Sequence, residues 1–152
     1  MALPGRDVKQ DIKYGSKLVS KFVNYIMQGG DKNKALKILY SAFDLIEERQ
    51  DEPGIKVFKE AVDNVSPRLE TRSRRVGGAN YQVPYEVPSD RGVALAFRWL
   101  IKSASHRSEY RAEERLASEI IAASNKEGEA FEKKLDSHRQ AEANKAFAHY
   151  RW

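Results

Sequence analysis

One short stretch alternates apolar and polar residues and interrupts a chain that otherwise repeats at helical spacing. Its apolar positions are Tyr81, Val83, Tyr85 and Val87, separated by polar residues and Pro84. This period of two is typical of a β-strand. Together with Leu69 to Val76 and the flexible connection Gly77-Gly78-Ala79-Asn80, it predicts a β-hairpin over about residues 69–87. Because Pro84 cannot donate to a ladder and an isolated two-stranded ribbon is marginal, we expect an arm whose base packs on helices.

Upstream of the hairpin, apolar residues recur every three or four positions and predict three helices. The first follows Ser16 and stops at Gly29-Gly30, the second is capped by Asn33 and runs to about Gln50, and the third is capped by Asp51, entered through Pro53 and ended by Pro67. These breaks contain the residue types that cap or terminate helices.

Downstream, the helical spacing resumes after Pro88. A fourth helix opens at Ser89 or Asp90 and is apolar nearly all round, a fifth opens at Ser108 or Glu109, and the stretch from Phe131 to Tyr150 has high helix propensity but a thin apolar stripe. The predicted fold class is mainly α: six helices, with a protruding two-stranded β-hairpin between the third and the fourth.

The chain has 152 residues, enough for one domain with a core. Residues 1–15 carry scattered charge without a period, so we expect a flexible N-terminal arm that orders on a partner, followed by a single domain over 16–152. No apolar run is long enough to span a membrane, and no secretory leader is evident. The chain has no cysteine, which excludes disulfides, thiolate metal sites and cysteine nucleophiles.

The positive charge is concentrated in the hairpin. The formal net charge is +5, yet the segments before and after the hairpin are nearly balanced. Between Arg68 and Arg75, the basic residues Arg68, Arg72, Arg74 and Arg75 stand against the single Glu70, with no lysine among them. Arg68, Arg72 and Arg74 share a parity and therefore a face, and Arg75 lies on the other. Guanidinium groups suit phosphates and base stacking, so nucleic-acid binding is favoured over a merely solvated hairpin.

A second group of arginines leaves two interpretations open. Arg107, Arg111 and Arg115 repeat at i, i+4 and i+8, which predicts one outward face of the fifth helix. That face could bind a polyanion, or its arginines could form ion pairs with the interleaved glutamates.

The sequence gives little indication of a catalytic or metal site. His106, His138 and His149 lack metal-ligand spacing, and no phosphate-binding glycine motif or nucleophile elbow occurs. We therefore expect no enzyme, no metal and no cofactor. Tyr150, Arg151 and Trp152 could stack on bases, or Trp152 could pin the C-terminus into the core.

Longer motifs resemble a known family. Lys56-Val57-Phe58-Lys59, Pro67-Arg68-Leu69-Glu70, Arg72 through Pro84, Ala96-Phe97-Arg98-Trp99-Leu100 and Ala141 through Trp152 closely resemble bacterial-type ribosomal protein S-seven of the small subunit, from about Tyr14 onward. The resemblance implies six helices with the hairpin between the third and fourth. It also implies binding to the 3′ major domain of small-subunit ribosomal RNA, early assembly of the subunit head, and a place beside the transfer-RNA exit site and the messenger-RNA exit path.

The resemblance also assigns residues and partners. The residues implied to bind ribosomal RNA are Lys32, Lys34, Arg68, Arg72, Arg74, Arg75, Arg91, Arg98, Arg107, Arg111 and Arg115. Those implied to approach transfer RNA and messenger RNA are Gly77, Gly78, Ala79, Asn80, Tyr81, Lys145, Tyr150, Arg151 and Trp152. Ribosomal proteins S-nine and S-eleven are the implied protein neighbours, in a cytoplasmic or organellar ribosome. An alternative function is translational repression through binding of the chain's own operon messenger RNA.

Three departures from the family pattern predict weaker RNA contacts. The segment Met1 to Asp11 is poor in basic residues, Gly30-Asp31-Lys32 replaces a more basic turn, and Glu129 through Lys134 has fewer lysines than many relatives have.

Overall fold

The computed structural model describes residues 2–152. Within this part of the chain there are six α-helices, one 3-10 helix and a two-stranded antiparallel hairpin. In chain order they are α1 (Lys17–Ile26), α2 (Lys32–Gln50), α3 (Gly54–Val65), β1 (Leu69–Val76), β2 (Ala79–Glu86), α4 (Ser89–Ser105), α5 (Ala112–Ser124), α6 (Glu129–Ala143) and the 3-10 helix Lys145–Tyr150. The predicted mainly helical fold with a hairpin between the third and fourth helices is confirmed.

Several helix boundaries differ from those predicted because other residues satisfy the helix ends. Ser16 caps α1 as expected, its Oγ accepting from the Val19 amide at 3.3 Å. In α2 the cap is Asp31, whose carboxylate accepts from the Lys34 amide at 3.1 Å, so the prediction of Asn33 is wrong. Asp51 is not the cap of α3 either. It adopts the left-handed conformation that ends α2, with φ of 53°.

The other two differences lie in the second half of the chain. The fifth helix begins at Ala112, later than predicted, since residues 106–111 form a bent connection. The last predicted helical stretch is divided at Asn144, where α6 ends and the 3-10 helix follows. This division turns the last residues of the chain towards the hairpin.

The core is built around four fully buried phenylalanines, one from each of the first four helices: Phe22, Phe43, Phe58 and Phe97. The ring centroids of Phe22 and Phe58 are 4.8 Å apart, and those of Phe22 and Phe97 are 5.0 Å apart. Burial of each such side chain contributes about 1.5–3 kcal/mol. These contacts join the first four helices into the bundle that carries the hairpin.

The hairpin has a regular register and a tight turn. Arg72 pairs with Val83 and Arg74 with Tyr81. Gly77 and Gly78 form a two-residue turn with φ of 57° and 83°, a conformation that favours glycine. Val83 is fully buried, and the Ser137 hydroxyl of α6 donates to the Leu69 carbonyl at 2.7 Å. The base of the ribbon thus packs on the helices, as a two-stranded ribbon requires.

Residues 2–15 form no helix or strand but contact the bundle. The Asp11 carboxylate accepts from the Tyr14 amide at 3.0 Å and from the Tyr40 hydroxyl at 2.6 Å. Partial burial, followed by this hydrogen bond to Asp11, raises the pKa of Tyr40 to about 12. Lys21 donates to the Arg6 carbonyl. The flexible arm and the division at residue 16 stay predictions.

None of the helices described here is long and apolar enough to cross a bilayer.

Candidate nucleic-acid interface

The arginines of β1 occupy both faces of the ribbon, as their parity predicts. Arg72 and Arg74 lie on one face, opposite Val83 and Tyr81 of β2. Arg75 lies on the other face, opposite Asn80. Arg75 and Arg68, which directly precedes β1, are exposed. Among residues 2–152, no carboxylate side chain forms an ion pair with Arg68, Arg74 or Arg75.

Glu70 organises the base of this basic face. Its carboxylate accepts from Arg72 at 2.8 Å and from Nε and Nη2 of Arg91, in α4, at 2.8 and 3.0 Å. Partial burial alone would raise the pKa of Glu70, but hydrogen bonds from Arg91 and Arg72 outweigh it and hold the pKa below its ordinary value. About half of the Arg72 side chain remains exposed. Glu70 therefore orients two cations whose outer surfaces stay open to a ligand.

The sequence analysis did not assign this role to Glu70. Its even position on β1, shared with Arg72, was the available signal.

The hairpin tip and the C-terminal segment meet in the structure. The ring centroid of Tyr81 is 4.7 Å from that of Tyr150 and 5.1 Å from that of Phe147. The Arg74 guanidinium carbon is 3.9 Å from the ring centroid of Trp152, and Nη1 of Arg74 donates to the Trp152 main-chain oxygen at 2.9 Å. Trp152 is 71% exposed, so the alternative that it is pinned into the core is wrong. Phe147, which the sequence analysis did not select, completes this aromatic cluster.

The second arginine group does not form the predicted helix face. Arg107 and Arg111 precede α5, and only Arg115 lies within it. Arg107 donates to Glu109 and to the buried Glu119, each at 3.1 Å. Arg115 donates to the carbonyls of Glu109 and Tyr110, each at 2.9 Å.

These contacts hold the corner between α4 and α5 in place. Burial alone would lower the pKa of Arg107, but hydrogen bonds with Glu119 and then Glu109 raise it above its ordinary value. Arg111 is the most exposed of the three, with its Nη1 4.0 Å from Glu113. The ion-pair interpretation therefore applies to Arg107 and, at a longer distance, to Arg111, whereas Arg115 has a structural role through main-chain carbonyls.

The remaining selected residues are on the surface. Lys32 and Lys34 are exposed in the first turn of α2, and Arg98 is exposed on α4 with its guanidinium carbon 6.0 Å from the Tyr25 ring centroid. The tip residues Gly77, Gly78, Ala79 and Asn80 are exposed, as are Lys145 and Arg151. Lys145 pairs with Glu142 at 3.3 Å.

Two further features of the described residues bear on metal and small-molecule binding. Within residues 2–152, no cluster of three or more histidine or carboxylate side chains could hold a metal ion. A cleft of about 590 Å³ lies between the α1–α2 turn and the α4–α5 corner, and its lining includes Ile38, Leu116, Lys34 and Arg115. Asp31, the carboxylate at its edge, already caps α2.

A helical body that carries an arginine-bearing β-ribbon is typical of nucleic-acid-binding proteins, because such cations can contact phosphates and exposed aromatic rings can stack on bases. The comparisons narrow this class to one family. The family model described as "Ribosomal protein S7p/S5e" matches residues 2–145, and the chain belongs to that family. This is a structural, non-enzymatic family of ribosomal proteins.

Curated relatives match almost end to end. The chain is 58% identical to small ribosomal subunit protein uS7 of Magnetococcus marinus, over 99% of this chain and 96% of the relative. It is 53% identical to uS7 of Gemmatimonas aurantiaca, over 97% and 94% of the two chains, and 52% identical to uS7 of Sulfurimonas denitrificans, over 98% and 96%. The resemblance found in the sequence is confirmed.

Proposed function

We propose that this chain is a structural constituent of the small ribosomal subunit that binds the 3′ major domain of its ribosomal RNA and nucleates assembly of the subunit head. The observation that supports this function best is the ribbon itself, where Arg68 and Arg75 are exposed and have no acidic side-chain partner in residues 2–152. Family membership and the names of the relatives support the small ribosomal subunit as the setting, and the 3′ major domain is the part of its RNA that the family resemblance implies.

The proposed mechanism uses the ribbon as a clamp. Arg75 and the exposed part of Arg72 face opposite sides of the ribbon, so they can contact phosphates of two backbone segments. Phosphate contacts dominate the affinity, and the shape of the folded RNA supplies the specificity. The bundle fixes the base of the ribbon, which limits the entropy lost when the RNA is bound.

The tip and the C-terminal segment complete the proposal. Gly77 through Tyr81, with Lys145 and residues 150–152, would lie beside exit-site transfer RNA and messenger RNA. The proposed protein neighbours are ribosomal proteins S-nine and S-eleven, in the head and platform of a cytoplasmic ribosome or its organellar counterpart.

Salt-dependent binding tests the clamp. The purified protein is titrated with a 3′ major domain fragment and with an unrelated structured RNA, from low to high salt. Combined alanine substitution of Arg72, Arg74 and Arg75 is expected to flatten the log–log salt slope by about 2, since each single-strand phosphate contact contributes about 0.7. A matched control replaces the exposed Arg49, Lys56 and Lys59 of α2 and α3 by alanine and removes the same formal charge.

The control variant is expected to keep the wild-type slope. Equal flattening in both triple variants would mean that net charge, rather than the ribbon, determines binding. Equal affinity for both RNAs would contradict specific recognition by the isolated protein.

Repression through the chain's own operon messenger RNA would use the same ribbon. It predicts that leader messenger RNA and the ribosomal RNA fragment compete for one site. Simultaneous binding of both RNAs would contradict that role without affecting the structural one.

A further inference from the structure

The C-terminal segment, residues 145–152, covers one arginine of the ribbon and leaves its neighbour open. The indole of Trp152 lies over the Arg74 guanidinium, with 3.9 Å between the guanidinium carbon and the ring centroid. The Trp152 main-chain oxygen also accepts one of that arginine's hydrogen bonds at 2.9 Å. Arg75, the next residue, is exposed and has no ion-pair partner among the described residues. Of these two adjacent arginines, Arg74 is therefore covered by the chain itself and Arg75 is open to a ligand.

An aromatic ring stacked on a guanidinium is also the arrangement that an unpaired nucleobase adopts on arginine. Tyr81, the residue paired with Arg74 across the ribbon, is occupied in the same way. Its ring packs against Tyr150 at 4.7 Å and Phe147 at 5.1 Å. The segment thus fills both stacking positions on this part of the ribbon.

We propose that the C-terminal segment is an internal competitor: it occupies the base-stacking surface of Arg74 and Tyr81, and it must move before an unpaired RNA base can stack there. This inference rests on the proposed RNA-binding function and adds the ligand class and the regulation of one subsite. The open arginines Arg68, Arg72 and Arg75 make the first phosphate contacts, and the covered pair engages afterwards.

The segment is held weakly enough to be displaced. The 3-10 helix Lys145–Tyr150 has no buried residue, and Trp152 is 71% exposed. In the part of the chain that the structure describes, no ion pair between side chains joins the segment to the ribbon, and Lys145 pairs with Glu142 of α6. Its attachment consists of exposed aromatic contacts and the Arg74 hydrogen bond, both of which a base and a phosphate can replace.

A double-mutant cycle in the full chain tests the competition. Trp152→Ala is expected to tighten binding to the 3′ major domain fragment about three- to tenfold and to leave the log–log salt slope unchanged, because the slope reports phosphate contacts in the complex and Arg74 is uncovered in the complex of both proteins. Arg74→Ala is expected to weaken binding. In the Arg74→Ala background, Trp152→Ala is expected to have no effect, because the surface that it uncovers is no longer basic. Trp152→Phe, which keeps a stacking ring, is the matched control and is expected to bind as the wild type does.

Two outcomes would overturn the proposal. Weaker binding by Trp152→Ala in both backgrounds would make Trp152 an RNA contact in its own right. An equal gain in both backgrounds would mean that the segment does not act through Arg74.

A measurement without RNA separates this proposal from the proposed function. In a Trp99→Phe variant, Trp152 is the only tryptophan, and its fluorescence anisotropy reports whether the segment is held. Arg74→Ala is expected to lower that anisotropy, and an unchanged value would overturn the contact whatever the RNA result. Lower anisotropy with no selective RNA binding would instead contradict the proposed function, whereas selective binding that is unaffected by Trp152→Ala would contradict only the competition.

Discussion

The two arginine-rich regions of this molecule look alike in sequence and differ in use. On the ribbon, Arg68, Arg74 and Arg75 have no carboxylate side-chain partner in residues 2–152, and Arg72 shares Glu70 with Arg91. At the α4–α5 corner, Arg107 bridges Glu109 and Glu119, and Arg115 is bound to two carbonyls. The ribbon leaves Arg68 and Arg75 open to a ligand, whereas at the corner Arg107 and Arg115 hold a loop in place.

The difference arises from which acceptors the fold brings near each cation. At the ribbon, Glu70 accepts from Arg72 on its own face and from Arg91 of α4, whereas Arg75 lies on the opposite face, where no carboxylate side chain among the described residues pairs with it. The corner instead brings the buried Glu119 of α5 against Arg107. A buried carboxylate must have a partner, and it takes a cation that would otherwise face solvent. The number of arginines in a segment therefore does not establish a polyanion site until their acceptors are known.

The largest expected effect is at the corner. Arg107→Ala leaves Glu119, which is 1% exposed, without its counter-charge and is expected to lower the free energy of unfolding by about 3 kcal/mol. Urea denaturation measures this loss. Arg111→Ala is the control and is expected to change stability by less than about 0.5 kcal/mol, because an exposed charge contributes little. Similar losses of stability in both variants would contradict the inference that the buried Glu119 makes Arg107 more important for stability than Arg111.

A smaller effect is expected at the base of the ribbon. Glu70→Gln is expected to reduce the free energy of unfolding at pH 7 by about 1–2 kcal/mol, because it weakens charge-assisted hydrogen bonds from two arginines that are themselves about half exposed. Since Arg91 and Arg72 hold the pKa of Glu70 below 4.5, this stability is present above about pH 4.5 and is lost as the pH falls through the lowered pKa.

Urea denaturation of the wild type and of Glu70→Gln between pH 7 and pH 3 checks this expectation. The difference between the two proteins should shrink on acidification. A difference that stays constant over that range would mean that Glu70 acts through its shape and not through its charge.

The exposed face of the ribbon should show the opposite pattern to the corner. Arg75→Ala is expected to flatten the salt slope of RNA binding by about 0.7 and to leave the free energy of unfolding within about 0.5 kcal/mol of the wild type. Binding titrations at several salt concentrations, together with urea denaturation, measure the two quantities. A loss of stability without a change of the salt slope would show that Arg75 has a structural role, as the corner arginines have, and does not contact RNA.

The smallest expected effect concerns the kind of cation. Arg75→Lys keeps one positive charge in the same exposed place and is expected to leave the salt slope unchanged, with a loss of affinity below about threefold if the contact is a point charge on one phosphate. The same titrations apply. A loss as large as that of Arg75→Ala would show that Arg75 uses the planar fork or stacks on a base.

Most elements of the fold were predictable from the sequence, whereas helix ends were not. Hydrophobic spacing placed the helices and the strand pair because each period reflects which side of a local element is buried. Asp31 rather than Asn33 caps α2, and the fifth helix starts at Ala112 rather than at Ser108 or Glu109. Several neighbouring residues can cap a helix, and the choice among them depends on contacts from elsewhere in the chain.

The candidate site was likewise predictable only in its local features. The parity of Arg72, Arg74 and Arg75 followed from the sequence, because strand geometry is local. Three other contacts join residues that are distant in the sequence. Arg107 pairs with Glu119, 12 positions away, and Glu70, which also binds Arg72, pairs with Arg91, 21 positions away. Trp152 contacts Arg74, 78 positions away, and none of these contacts follows from a local pattern.

By itself, the sequence determined the helical body, the single ribbon with its arginines on defined faces, and the family. Only the tertiary structure decided which of those cations are free, because a cation is neutralised by whichever acceptor the folded chain brings within a few ångströms of it.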